Sequence, residues 1–509
     1  MYMLLLFFLI LVVINFKYIL KPFKKIDRKT GIALGAILLF FFVLYWFFIP
    51  NVHRIYGDEP AILANAGYKH ERLVEKSSIT AIYRIGFEIF GFDNIVAIKL
   101  NLAISILNLF LLFYLLHILF GDKLIALSTP IFLGINKTYM TYAASSYNVM
   151  ISLMFALLSS IFFWLFLRYG KASLNLLFLA SFMLLAISRL EFALLIVLFL
   201  IFWVIAKKRK LNLAKENILY WLKHGLLWLA VLSPFFYLVY MPEANEKAIV
   251  LEDYSSIRFG PGNIMPNFTN AFLPMFESHI IGNYMLLTII SALIALYWLS
   301  NKRMLVQGFF MLSASLSLLF FYLNNVYYAD WYNVTIFAYL FFVFGILFST
   351  LVGSKNAIIQ ISSAILFGLI ILVASSNSIV SINKEVRDYY YLTTKAPEIL
   401  EKAIPKECVV ITPYAPNVKM GTNINAINSV EAVKNMKMLQ DYSCMYFFED
   451  YLCHLSRANS GMKEDCDFFK ENYKMRPELV IGKKKSSLEY ALYRFGSGNN
   501  SKVAKILID

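Results

Sequence analysis

The sequence predicts an all-α polytopic membrane protein carrying a small α/β domain near its C-terminal end. Three observations predict it. Of the 509 residues, 60% are apolar and only 16% are charged, where a soluble chain would carry about 25% charge. The apolar residues gather in runs close to the ~20 residues that a bilayer-crossing helix needs. The basic residues fall mainly in short loops between those runs, which is the pattern of cytoplasmic loops.

These observations exclude several classes. Mean hydropathy is +0.64, too high for a soluble enzyme or a disordered scaffold. The formal charge of +15 would suit nucleic acid, but it is dispersed over short inter-span loops and forms no groove, so no nucleic-acid partner is expected.

Twelve segments read as spans: 2–16, 31–49, 95–120, 124–142, 149–167, 172–187, 190–206, 217–240, 283–299, 304–323, 333–352 and 356–376. The first lacks a preceding basic stretch and a small-residue cleavage site, so it reads as a span and not as a signal peptide. Lys17 to Lys29, Arg168 with Lys171, Lys207 to Lys210, and Lys302 with Arg303 share one side if the spans alternate. That side is the cytoplasm. The stretch 172–206 has basic residues at both ends and divides at Ser188–Arg189. Loops 51–94, 143–148, 188–191, 241–282 and 324–332, and everything after 377, then face away from the cytoplasm. Domain boundaries follow: 1–376 in the membrane with loops 51–94 and 241–282, and 377–509 as an extracytoplasmic α/β domain.

The tail alternates strand-like runs, such as Cys408 to Thr412 and Leu479 to Ile481, with helical patterns near 430–440 and 464–473. This alternation marks an α/β fold. All four cysteines lie here: Cys408, Cys444, Cys453 and Cys466. No CxxC pair is present, which argues against zinc, and an even count in an exported domain favours disulfides. Of the three possible pairings, the local bridge Cys453–Cys466 is favoured. Asn136, Asn267, Asn333 and Asn499 open N-x-S/T sequons.

Residues fit for chemistry cluster in the non-cytoplasmic loops. Asp58 and Glu59 follow the end of a span, and Pro60 opens a helical run. Two readings stand. The carboxylates cap a helix, or a carboxylate against apolar walls has a raised affinity for protons and serves as a general base. Further on come Glu75-Lys76-Ser77 with Arg84 close behind, and then Phe90-Gly91 before the next span. Taken alone, Lys76 is a lysine snorkelling to the interface. Tyr147-Asn148 opens another span, with Asn148 placed as an N-cap. Arg189 and Glu191 sit together near the apolar phase, where unpaired charge is costly, so Glu191 reads as the partner of Arg189. Tyr328 and Asp330 occupy a short aromatic turn where Trp331 belongs to an interfacial belt.

In their order, Asp58-Glu59, Glu75-Lys76 and Phe90-Gly91 resemble the polytopic glycosyltransferases of the GT-C fold that use polyprenyl-phosphate sugars. The protein O-mannosyltransferases and the aminoarabinose transferase of lipid A are the members most similar. The resemblance spans roughly 50–350 and the outer C-terminal domain. It departs at Ser77, where the family has proline, and at Asn148, where an acidic residue is frequent. It departs again at the turn of Tyr328, which lacks the family's arginine. It implies a polyprenyl- or dolichyl-phosphate sugar as donor and a protein, glycan or lipid hydroxyl as acceptor. Asp58 would be the base and Glu59 would orient the site. Lys76, with Arg84 and Arg189, would hold the donor phosphate. Asn148, Glu191, Tyr328 and Asp330 would contact sugar or acceptor. No cofactor is expected and no metal ligand is assigned, though a divalent metal stays open. HExxH, P-loop, dinucleotide and WWDYG motifs are missing from the sequence.

Two other readings remain: a lipid-sugar flippase or transporter, and a catalytically silent scaffold of the same fold. Transporters usually place charge near mid-membrane in paired repeats, and this sequence places it at span ends. Single cysteines introduced at positions 58 and 209 should label from opposite sides of sealed vesicles. Labelling of both from one side overturns the alternation.

Overall fold

The computed structural model describes residues 2–50, 77–91, 94–208, 218–237, 241, 261–273, 284–324, 332–385, 391–413, 415–419, 422–434, 442, 444–450, 453, 462–483, 489–496 and 503–508. Of these, the residues within 1–50, 74–82 and 99–382 form one compact unit. Those within 83–98 and 383–509 form a second.

The first unit is helical. Among the described residues, six helices are long and apolar enough to cross a membrane: Arg28–Phe48, Ile95–Phe120, Val149–Tyr169, Leu305–Leu323, Tyr332–Val352 and Ala357–Lys384. Val149–Tyr169 lies at the centre, with 89% of its apolar stretch buried, whereas that of Ala357–Lys384 is 11% buried and turns its side chains outward. Such an apolar, unburied helix suits contact with lipid. Gly345 lets helix Phe342–Val352 approach Lys123–Gly134, because a Cβ there would run into the Thr129 hydroxyl. Small residues commonly mediate such contacts between membrane helices.

Several segments depart from the sequence reading, each for a local reason. The first run bends by 58° between Tyr2–Ile14 and Phe16–Phe23. The Asn15 amide sits in the bend, donating to Leu11 O at 2.9 Å and Ser173 O at 3.1 Å. Segment 124–142 is two helices, Lys123–Gly134 and Lys137–Ala143. Asn136 ends the first and caps the second by accepting from Tyr139 N. Segment 172–206 divides at Arg189 into Ala172–Ser188 and Leu195–Lys208, joined by a 3-10 turn at Leu190–Leu194. The last apolar helix runs on to Glu385, past the end read at 376. Asn136 and Asn333, both in sequons, are buried.

The second unit contains a six-stranded mixed sheet. Its strands are β1 Val409–Thr412, β2 Asn425–Asn428, β3 Met445–Glu449, β4 Met475–Lys483, β5 Glu489–Phe495 and β6 Ala504–Ile508, in the order β2-β1-β3-β5-β4-β6. β1 is parallel to both β2 and β3, β5 is antiparallel to β3 and β4, and β6 is parallel to β4. Successive side chains point to opposite faces. Val410 therefore packs with Leu400 and Ile404 on one face, and Val409 and Ile411 pack with Phe469 on the other. On the latter side, Tyr493 donates to buried Glu449 at 3.0 Å. Burial first, and the Glu449 carboxylate second, push its phenol up to about 12.

Two disulfides staple this sheet: Cys408–Cys444 and Cys453–Cys466. The first joins the residues preceding β1 and β3, which pair as Val409 with Met445. The second ties Cys453 to helix Met462–Asn472. Loop-closure entropy makes the bridges worth roughly 4 and 3 kcal/mol respectively. Replacing Cys408 and Cys444 by alanine should therefore lower the unfolding midpoint of the domain more than replacing Cys453 and Cys466. Thermal melts under non-reducing conditions check this order.

Candidate functional site

A charged cluster and a polar turn meet in the helical unit. Helix Ala172–Ser188 ends because Arg189 takes an extended conformation, φ −155° and ψ 120°. Its carbonyl then accepts from Phe192 N at 3.0 Å, opening the 3-10 turn that carries Glu191. Arg189 Nε donates to Glu191 Oε1 at 2.6 Å, with both side chains largely buried. This is the pairing read from the sequence.

The pair is walled by aromatics. Tyr322, in the last turn of helix Leu305–Leu323, donates to Glu191 Oε1 at 3.1 Å. Tyr332 opens the next helix and stacks on Tyr322 at 3.8 Å with a 6° interplanar angle. The guanidinium lies 5.8 Å from the Tyr322 ring and 5.2 Å from the Tyr332 ring. Tyr147 is also within electrostatic reach of it. Arginine stays charged, so the carboxylate and the ring faces together make its burial tolerable. Among the described residues, neither terminal guanidinium nitrogen has a hydrogen-bond acceptor. That end of the fork suits the oxygens of a phosphate or carboxylate.

The turn 143–148 is built by a residue that the sequence reading passed over. Asn101, fully buried in helix Asn94–Phe120, donates to Tyr142 O at 3.1 Å, Ser145 O at 2.6 Å and Tyr147 O at 2.9 Å. Ser105 and Asn108 lie four and seven positions on, so all three share one helix face. Tyr139 donates to Ser105 O, and the Asn108 amide donates to Met150 O. This stripe of polar residues in an apolar run is the signal that could have been read.

Asn148 differs from the N-cap expected of it. Its backbone is helical, φ −65° and ψ −15°, and its side chain makes no cap bond. It is completely buried, and neither Nδ2 nor Oδ1 has a partner among the described residues. A buried amide without partners costs about 1–3 kcal/mol, and Asn148 leaves both of its amide atoms in that state among the described residues.

Arg189, Glu191 and the Tyr147-Asn148 turn are thus brought together. Arg84 lies half-buried on helix Ser77–Phe90 in the second unit. Asp58, Glu59, Lys76, Tyr328 and Asp330 lie outside the described residues. No group of three or more potential metal-ligating side chains occurs among the described residues.

Breaking one side of the charge pair should cost more than removing both. Arg189→Met leaves Glu191 buried and uncompensated, at about 3–5 kcal/mol, whereas the double Arg189→Met, Glu191→Met removes the penalty. Melting temperatures in detergent should fall furthest for the single variant. Additive losses would show that the two groups do not depend on each other.

No protein-family model and no curated protein matches the sequence. Solved structures do match. The chain is similar to ArnT from Cupriavidus metallidurans in the apo state, with a TM-score of 0.56 and 11% identity over 92% of this chain and 98% of that one. It is also similar to ArnT from the same organism bound to undecaprenyl phosphate, at 0.55 and 12% over 94% and 99%. A third match is the S. cerevisiae protein O-mannosyltransferase Pmt1–Pmt2 complex bound to the sugar donor. There the TM-score is 0.37 at 12% identity, over 50% of this chain and 38% of that one. The two ArnT structures show that the fold is shared over nearly the whole length of both chains.

Proposed function

We propose that this protein is an integral membrane glycosyltransferase. It takes one sugar from a polyprenyl- or dolichyl-phosphate donor and passes it to a hydroxyl of a protein, glycan or lipid on the extracytoplasmic side. The observation that carries the proposal is the fold shared over 94% of the chain with an ArnT structure that holds undecaprenyl phosphate. The Arg189 cluster supports it with a cation whose outer nitrogens have no acceptor among the described residues.

In the proposed reaction the acceptor oxygen attacks the anomeric carbon as its proton passes to the Asp58 carboxylate. The bond from the anomeric carbon to the phosphate oxygen breaks, and the lipid phosphate departs with the electron pair. The configuration inverts, since a single displacement involves no enzyme nucleophile. The growing phosphate charge calls for fixed cations at the leaving group, a role assigned to Lys76 and Arg189 with Arg84 as a further candidate. Glu59 orients the site. Asn148, Glu191, Tyr328 and Asp330 bind sugar or acceptor hydroxyls. Asn148 offers two amide N–H donors and a carbonyl acceptor but has no carboxylate, which puts more weight on Asp58 for the proton.

Membranes containing the protein should transfer radiolabel from polyprenyl-phosphate sugars. Asp58→Asn should lower the rate by at least 10²-fold, the lower bound expected of a general base, at unchanged expression. Transfer that survives in Asp58→Asn removes the base assignment. A chain that transfers no sugar from any such donor removes the function.

A further inference from the structure

The opposite end of the helical unit holds a second concavity. Helix Ala172–Ser188 runs between the two ends, and its length places Arg168 and Arg189 roughly 25 Å apart. Here the last turns of Phe16–Phe23, Asn94–Phe120 and Val149–Tyr169 meet the first turns of Lys123–Gly134 and Leu305–Leu323. Between them opens a cavity of about 590 Å³ lined by Lys25, Lys123, Arg168, His117, Gln307 and Trp164. Leu167 and Met304 give it an apolar wall.

Helix C-termini commonly carry basic residues, and so do cytoplasmic loops. Those rules explain why cations occur at this end. They do not explain why three cations converge on one hollow whose polar lining is unspent. Trp164 Nε1, Gln307 Oε1 and His117 Nδ1 are buried without partners among the described residues. The other His117 nitrogen is engaged by the Pro22 carbonyl.

Two carboxylates lie nearby: Asp27 pairs with one of the three cavity cations, and Asp122 is committed elsewhere. Asp27 pairs with Lys123 and caps its own helix through Thr30 N. Asp122 accepts from Leu124 N, Ile125 N and the Ser349 hydroxyl. Among the described residues Lys25 and Arg168 form no ion pair.

We propose that this cavity is a binding site for a phosphate ester bearing a neighbouring hydroxyl. Lys25 and Arg168 grip the phosphate, and Lys123 contributes from its pair with Asp27. The Trp164 N–H donates to a phosphate or ester oxygen, and Gln307 Oε1 accepts from the hydroxyl. The apolar wall takes the carbon skeleton. Such a ligand is supplied either by the headgroup of a glycerol-based anionic lipid in the facing leaflet or by a soluble glycerol phosphate. The site is independent of sugar transfer and of the Arg189 cluster.

The test is direct binding to the full-length protein in detergent. The probes are dihexanoyl-phosphatidylglycerol and glycerol 3-phosphate, with dihexanoyl-phosphatidylcholine as the zwitterionic control. Lys25→Gln with Arg168→Gln should weaken the anionic probe that binds by about tenfold or more, the loss expected for charge-assisted contacts. Arg168→Lys should retain most of the affinity, and Lys355→Gln, outside the cavity, should retain all of it. Binding of phosphatidylglycerol alone identifies the lipid source, and binding of glycerol 3-phosphate identifies the soluble one. The three cations are exposed, so the variants should melt as the parent does. If the double variant fails to fold, Lys25→Gln alone still should weaken binding. Equal affinity in the parent and in the Lys25→Gln, Arg168→Gln double variant, equal binding of the zwitterionic control, or no binding of either anionic probe overturns the proposal.

Discussion

A bilayer offers no partner to a polar group, so each break in a membrane helix must find its hydrogen bonds within the protein. The helical unit meets this constraint with buried asparagines. Asn15 occupies the bend in the first apolar run. Asn136 caps the short helix after Gly134. Asn101 holds three carbonyls of the turn before Val149. An asparagine carries both donors and an acceptor on a short stem, so it can satisfy a broken backbone without bringing in charge. Asn148 breaks the pattern. It is buried like the others, yet both of its amide atoms are without partners among the described residues. The same economy that explains the structural asparagines singles out this one.

Much of the fold was legible because lipid imposes a simple length rule. Apolar runs gave most helices, and the charge at Arg189 gave the division of 172–206. Periodicity could not reveal where a run breaks. Segment 124–142 reads as one run by length although Asn136 and Lys137 interrupt it, and the break depends on Asn136 reaching the backbone beyond it. The local bridge Cys453–Cys466 was legible from spacing. With four cysteines that choice leaves Cys408 to Cys444, and the sheet order supplies the reason the two meet, since β1 and β3 lie side by side.

The candidate site was legible in part. Charges that sit at the end of a run are costly, so Arg189 and Glu191 announced themselves and each other. Their aromatic wall did not, because Tyr322 and Tyr332 look like ordinary interfacial tyrosines until stacked. The stripe of Asn101, Ser105 and Asn108 was visible in the spacing, but its role is to shape a turn some forty residues away. Long-range positioning of this kind leaves a polar residue in an apolar run as its sole sequence trace.

Glu191 also sets how strongly the buried Arg189 can hold an anion. An arginine already neutralised by a carboxylate presents less net field to an arriving anion than a bare one would. Glu191 makes the buried cation tolerable, and it also softens its grip on anything bound there. Under the proposed function, a phosphate leaving group seated against such a cation would escape more readily than from a bare one, and the element that preserves the resting fold would also hasten release of the lipid.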